Sequence, residues 1–402
     1  MARPTSGRSP GCYVSIAYTH APSDPRVRRH CDALARHGWR VIQLGLGVEG
    51  ERRVGRLKSV VLVRWHRPRY RGGRLFRYAV SYLGFFFWAR ALLRRLTRTP
   101  GVRVVQVNNI PTFLVWAARV VRHRGGGVVL DLHDPEPELF LSKFGDRPGA
   151  HLVARGLAWH ERLAARQARL VLCVHEQHRA ITQAHGVAGN RLRTIVNLAD
   201  ERMFPLSPPR CAGPFIAFHG TVARRMGLDF VLAGIRSLLD RGIAVRMAIW
   251  GDGDATDELR SQRDQLGLSS LVDIPARRFQ PDQLIGLLAE VGLGIVSIRR
   301  DTFTDVMLPT KLLEYVRLGI PAVVTWTPTI AQYFPDDAVY YIRDMSAAAV
   351  ADAVARALAD PEEARARVGR AQGLPIACSW QDREIEYVRL IEEAENLGHG
   401  AP

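Results

Sequence analysis

VNLADERMFPLSPPRCAGPFIAFHG, Val196 to Gly220, decides how the chain is divided. Its prolines interrupt regular structure, and the apolar run Phe215 to Phe218 that nearly closes it reads as a fresh strand. On its amino side, CYVSIAY, RVIQLGLG, VRVVQVN, GVVLDLHD and ARLVLCVH are short apolar runs separated by long helical segments. One such segment, DPRVRRHCDALARHGW, repeats its apolar positions Val27, Cys31, Leu34 and Ala35 at helical spacing and stops before Gly38. On its carboxyl side, AVRMAIWGDG, LVDIPA, VGLGIVSI and IPAVVTW alternate with helices such as DFVLAGIRSLLDRG. Strands alternating with helices imply parallel sheets joined by crossover helices. The pattern predicts an α/β protein of two doubly wound parallel-sheet domains, residues 1–205 and 206–375. Residues 376–402 form a closing acidic helix and tail, expected to pack back toward the first domain. Open α/β sheets bind ligands beyond the carboxyl ends of their strands, so the two domains are expected to face each other across a ligand cleft.

A chain of 402 residues can bury a core in each of two domains, and 47% hydrophobic with 24% charged residues excludes a disordered composition. The formal charge of +17 is unevenly placed: residues 1–200 carry 34 Lys and Arg against 12 Asp and Glu, and the remainder is net acidic. That asymmetry points to an anionic partner for the first half, with an Arg-rich habit of the whole composition as the competing explanation. Cys12, Cys31, Cys173, Cys211 and Cys378 are scattered without metal-ligand spacing, which reads as reduced thiols in a cytoplasmic protein. The first apolar run is short and lacks a cleavage site, so no secretion signal is expected.

Within the basic half, RYAVSYLGFFFWARALLRRL spans Arg77 to Leu96. Its uncharged core, Tyr78 to Ala89, has 12 residues, whereas crossing a bilayer takes about 20. Phe85, Phe86, Phe87 and Trp88 next to Arg77 and Arg90 suit a helix lying in an anionic membrane interface on the acceptor side. A helix buried against a sheet explains the same residues.

Four segments carry chemistry. HGTVARRMGLDF follows a strand and opens a helix; Gly220 and Gly227 permit close backbone approach, and Arg224 and Arg225 supply cations. A pyrophosphate fits such a loop, and so does a plain turn with solvated arginines. IWGDGD places Gly251 and Gly253 after another strand, which suits an approaching nucleotide and a tight turn alike. LDLHDPEPELF gathers Asp131, His133, Asp134, Glu136 and Glu138 at a strand end. A single histidine among loop carboxylates lacks the ligand spacing of zinc, so His133 reads either as a polar group facing a cleft or as a hydrogen-bonded structural histidine.

The fourth segment, DVMLPTKLLEYVRLGIP, sets Lys311 and Glu314 on one helix face, which a surface ion pair explains. Thr310 is the expected N-cap, and Glu314 then falls one residue beyond the capping-box position, held by Leu313. Lys58, Lys143 and Lys311 are the only lysines among 56 basic residues. A chain that otherwise uses arginine has placed a compact point charge here.

These segments, in this order, resemble a bacterial glycosyltransferase of family 4 over nearly the whole chain: SDPRVRRHCDALARHGWRV, LDLHDPEPE, ARLVLCVHEQHRAI with IVNLADERMF, HGTVARRMGLD, WGDGD and LPTKLLEYVRLGIPAVV. The resemblance implies the GT-B fold, two Rossmann-like domains. It further implies transfer of a sugar from a nucleotide-diphosphate sugar with retention at the anomeric carbon, and no essential metal or other cofactor. By that resemblance Glu314 binds the donor ribose, amides around Thr310 and Lys311 face the diphosphate, Arg225 contacts the leaving phosphate and His133 lies near the transferred sugar. The donor would lie mainly on the second domain, near Gly220, Thr221, Arg224, Gly251, Gly253 and Asp305, and the acceptor on the first. A departing phosphate oxygen that takes the acceptor's proton accounts for the lack of an obvious base.

Two positions depart from the family pattern. Val306, with Asp305 beside it, stands where many members place a second glutamate, and Met226 stands where a lysine often precedes the loop glycine. Contacts to the sugar are left open. The expected enzyme is cytoplasmic and peripheral at the inner face of the cell membrane. It acts on a lipid-linked or polysaccharide acceptor in cell-envelope or exopolysaccharide synthesis, with no nucleic-acid partner. A nucleotide-sugar epimerase of the same architecture stays open, as does a non-enzymatic membrane or nucleic-acid-binding module.

Overall fold

Asp24 starts the first helix: its carboxylate accepts from the backbone N–H groups of Arg26 and Val27, and Pro25 fills the first helical position, where an N–H has no partner. In the computed structural model, which describes residues 11–21, 23–67, 75–98, 101–277, 279 and 281–397, this helix, Pro25–Arg36, carries the chain from strand β1 (Cys12–His20) to the parallel strand β2 (Arg40–Leu46). Residues 1–10, which bear on the secretion signal, and the tail 398–402 lie outside the described residues.

The chain forms two compact units, Met1–Asn197 with Asp382–Pro402, and Leu198–Gln381. The first is built on β1, β2, β3 (Val54–Leu57), β4 (Val60–Trp65), β5 (Val102–Asn108), β6 (Gly127–Leu132), β7 (Leu170–Cys173) and β8 (Leu192–Thr194) in the order β3-β4-β2-β1-β5-β6-β7-β8. All pairs are parallel except β3 with β4. That hairpin is absent from the sequence reading because its turn, Lys58-Ser59, carries none of the Asn or Gly that mark two-residue turns, although Lys58 takes the left-handed conformation at φ +50°.

The second unit is built on β9 (Phe215–His219), β10 (Arg246–Trp250), β11 (Val272–Asp273), β12 (Leu293–Val296), β13 (Ala322–Thr325) and β14 (Tyr340–Ile342), all parallel in the order β11-β10-β9-β12-β13-β14. Strand order reverses between β1 and β5 in the first sheet and between β9 and β12 in the second, so each is doubly wound. Central strands are buried on both faces because crossover helices cover both. In the first unit Val14, Ile16, Val107 and Leu130 meet Phe85, Ala89 and Leu93 of the helix Leu75–Leu96; in the second, Ile216, Phe218 and Ile249 meet Val231, Ile235 and Leu238 of the helix Leu228–Asp240.

The last helix, Trp380–Asn396, belongs from Asp382 onward to the first unit. Its Tyr387 ring stacks on His30 with centroids 4.0 Å apart, and the hydroxyl meets Tyr13 Oη at 3.1 Å and donates to Gln106 at 2.9 Å. Arg36 Nε donates to Glu384 at 3.0 Å. Tyr387 and Glu384, polar side chains on the buried face of this helix, therefore have partners.

Candidate active site

β9 ends at His219, with Gly220 next, at the point where the second sheet reverses its strand order, the place where doubly wound sheets take ligands. Gly220 adopts φ +112° and donates its N–H to Trp250 O at 2.9 Å, which joins the end of β9 to the end of β10. A Cβ on Gly251 would lie 1.8 Å from Gly220 O, and one on Gly253 2.0 Å from Val222 O. Both glycines are thus needed for the two strand-end loops to pack against each other. Thr221, the next residue, is exposed.

The crossover after β12 contains the helix Thr310–Arg317, and here the capping expectation is corrected. Pro309 is the N-cap and no side chain caps the helix, so Thr310 is its first helical residue. The extended conformation that a cap requires falls on Pro309, at ψ 123°, leaving the first N–H groups without a side-chain acceptor. Such a start is electropositive and receptive to an anion.

Lys311 makes no ion pair among the described residues, so the surface-pair explanation fails. Its ammonium lies 3.6 Å from the centre of the Phe218 ring, and a Cβ on Gly220 would sit 3.7 Å from Nζ. Burial lowers its pKa to about 7; Glu314 opposes that shift and the nearby Arg225 guanidinium adds to it. Glu314 turns instead to His219, with Oε2 3.4 Å from Nε2. Burial, and Lys311 beside it, push the His219 pKa down to about 3, so the imidazole is neutral. His219 also meets Tyr315 edge-on at 5.1 Å. The sequence reading gave it no role, although it directly precedes Gly220 in the quoted loop.

Of the two loop arginines, Arg224 is exposed and pairs with Glu258 at 3.0 Å. Arg225 is half-buried, has no carboxylate partner among the described residues, and its Nε is buried without a hydrogen bond. The two backbone carbonyls of this pair are held by Arg299, whose N–H donates to Arg225 O at 2.7 Å and whose Nε donates to Arg224 O at 3.2 Å. The geometry therefore brings together Gly220, Arg225, Lys311 and Glu314 and turns Arg224 outward. Asp305 is engaged by both nitrogens of an Arg300 fork at 2.8 Å each.

His133, in the first unit, follows β6. Its N–H donates to Asn109 Oδ1 at 2.6 Å, and its Nε2 lies 3.3 Å from Asp131 Oδ2. Asp131 is fully buried; burial alone would raise its pKa, but Arg26, bonded through Nε at 3.1 Å and Nη2 at 2.8 Å, and His133 hold it well below the usual carboxylate range. Burial would lower the His133 pKa, and Asp131 overrides this and raises it. Asp131 and His133 alternate along one strand end and so share a face, a signal available to sequence reading.

On the helix Leu75–Leu96, Phe85 is corrected from a membrane-contacting residue to a core one: it is fully buried against Tyr18 and Trp65, at centroid separations of 5.2 and 5.7 Å. Phe86 packs on Phe113, Trp88 packs on Phe85, and Arg90 donates to Trp116 O at 3.2 Å. Phe87 is 63% exposed and shares a face with exposed Val80 and Leu83; Arg77, Arg94 and Arg95 are exposed on the same helix. Among the described residues no helix is long and apolar enough to cross a membrane.

With this geometry in place, comparison with known proteins gives the class. Residues 23–197 match the family model described as a glycosyl transferase 4-like domain, and residues 213–360 match that described as glycosyl transferases group 1. The chain belongs to these glycosyltransferases and has their two-domain GT-B fold. It is similar to sucrose-phosphate synthase from Thermosynechococcus elongatus (TM-score 0.72, 16% identity, covering 95% of this chain and 98% of that one). It is also similar to Anabaena HepE in complex with UDP-glucose (0.66, 13%, 96% and 99%) and to an α,α-trehalose-phosphate synthase from Burkholderia xenovorans in complex with glucose-6-phosphate (0.69, 14%, 95% and 100%). No curated protein matches the sequence.

Proposed function

We propose that this glycosyltransferase moves a sugar, with retention, from a nucleotide-diphosphate sugar to a lipid-linked or polysaccharide acceptor at a membrane face. The observation that carries the donor reading is the convergence of Arg225 and Lys311 near the uncapped start of the helix Thr310–Arg317, with Glu314 one turn further. Breaking the bond between the anomeric carbon and phosphate builds negative charge on the diphosphate. Arg225, protonated Lys311 and the free N–H groups stabilise that charge, and two fixed cations make a metal unnecessary for it. Glu314, with His219 beside it, accepts from the ribose hydroxyls. The acceptor oxygen bonds to the anomeric carbon on the face the phosphate leaves, and its proton passes to the departing phosphate oxygen. His133, oriented by Asp131, contacts the transferred sugar. The complexes of HepE with UDP-glucose and of the trehalose-phosphate synthase with glucose-6-phosphate support a donor of this class and a hydroxyl acceptor.

The membrane part rests on the exposed face Val80, Leu83 and Phe87 with the exposed Arg77, Arg94 and Arg95, which suits an anionic interface. A polysaccharide or lipid-linked acceptor fits an enzyme held there.

A thermal-shift screen of nucleotide sugars tests the donor reading, because a ligand that binds the folded state raises Tm. One nucleotide sugar is expected to stabilise the protein and to be consumed only when acceptor is added. Arg225→Ala should lose affinity for both the donor and inorganic pyrophosphate, whereas Glu314→Ala should lose it for the donor alone. Interconversion of the donor without acceptor would instead establish an epimerase.

A further inference from the structure

A second concentration of cations lies at the other ends of the first unit's strands. Arg169 directly precedes β7 and Arg191 directly precedes β8, whereas His133 follows β6 and His175 follows β7. Ends of parallel strands that point away from each other are separated by the length of the sheet, so these arginines are remote from His133. Arg119, Arg122, Arg166, Arg169 and Arg191, with His123, line a cavity of about 760 Å³, a volume usual for small-molecule sites.

Two of these guanidiniums are held in place by the backbone. Arg122 Nη1 donates to Arg166 O at 3.0 Å, and Arg191 Nη1 donates to Ala168 O at 2.9 Å, so backbone carbonyls of one loop aim both guanidiniums. Among the described residues, Arg119, Arg122, Arg166 and Arg191 have no carboxylate partner; Glu393, which also lines the cavity, is bound to Arg193 at 2.8 Å. Burial, together with repulsion from Arg122 and Arg191, lowers the Arg169 pKa. Folding has gathered like charges that repel, and an anion with several oxygens at guanidinium spacing relieves that repulsion through forked hydrogen bonds.

We propose that this cavity is a binding site for a ligand carrying two or three linked phosphates, separate from the donor site. The cations converge on one concavity instead of running in a stripe, which favours a compact polyphosphate over a nucleic-acid backbone. The same chemistry is offered by a soluble nucleoside polyphosphate and by the diphosphate headgroup of a prenyl lipid.

The test uses inorganic triphosphate and calorimetry at fixed ionic strength on the full chain carrying Arg225→Ala and Lys311→Ala, which silences the donor site. One equivalent is expected to bind, and adding Arg122→Gln and Arg191→Gln should weaken it at least tenfold. The unliganded Tm of the variant should stay close to that of the silenced parent, because the repulsion removed offsets the two hydrogen bonds to Arg166 O and Ala168 O, and this readout separates lost binding from lost folding. No binding to the silenced protein, or binding indifferent to the added pair, overturns the proposal. So does displacement of triphosphate by a single-stranded oligonucleotide but not by a nucleoside triphosphate. Competition by vesicles bearing a prenyl diphosphate assigns the lipid headgroup as the source, and competition by nucleoside triphosphate alone assigns the soluble one.

Discussion

The ammonium of Lys311 stands 3.6 Å from the centre of the Phe218 ring, although Glu314 lies one turn away on its own helix. Phe218 belongs to β9 and Lys311 to the crossover after β12, so the contact exists only because those strands are neighbours in the sheet. An aromatic face attracts a cation without neutralising it, leaving the charge available for a diphosphate.

Donor affinity should therefore depend on pH. Lys311 loses its proton near pH 7, and only the protonated form attracts the diphosphate. Affinity measured between pH 6 and 9 is expected to be constant on the acid side and to weaken by up to about tenfold per pH unit above the Lys311 pKa. Lys311→Arg, which stays charged throughout, should flatten the profile. A flat profile in the parent protein would remove Lys311 from diphosphate binding.

Phe85 and Phe87 should separate core from interface. Phe85→Ala empties a fully buried site and is expected to cost about 3–5 kcal/mol in unfolding free energy. Replacing exposed Val80, Leu83 and Phe87 together by serine should leave the melting curve nearly unchanged and cut binding to anionic vesicles at low salt at least tenfold. Unaltered vesicle binding would place the interface elsewhere.

Gly251→Ala should be severely destabilising, because its Cβ would stand 1.8 Å from Gly220 O, a backbone atom that cannot move without parting β9 from β10. A loss of at least about 2 kcal/mol in denaturant unfolding is expected. Gly267→Ala, which has open space but φ +68°, serves as a comparison in which only backbone strain acts.

His185 should make the first unit's stability depend on pH. Burial lowers its pKa, but hydrogen bonds to Glu138 at 3.1 Å and Glu161 at 2.8 Å override this and raise it to about 9. The folded value exceeds the unfolded one, so the stabilisation is full below about pH 6.5 and is lost as pH rises through the folded value. Melting temperature should fall over that window, and His185→Gln should remove the fall.

Much of the fold was legible because strands buried on both faces write continuous apolar runs, and a proline-rich segment marks where the series restarts. The β3–β4 hairpin was not legible, since its turn uses Lys58-Ser59. The helix Leu75–Leu96 was ambiguous, because burial and membrane contact ask for the same residue types. Only the sheet it covers assigns Phe85 inward and leaves Phe87 outward.

The sequence by itself determined two α/β units, the loops at their strand ends, and the candidates Arg225, Lys311, Glu314 and His133, because local periodicity and residue chemistry are written along the chain. Tertiary structure alone decided that Pro309 occupies the N-cap position, that Glu314 faces His219 while Lys311 faces Phe218, that Arg26 holds Asp131 and Asp131 lies against His133, and that five arginines from separate segments share one cavity. Each of these depends on which strands become neighbours. That choice follows from burying all the apolar surface at once, and no single stretch of the chain records it.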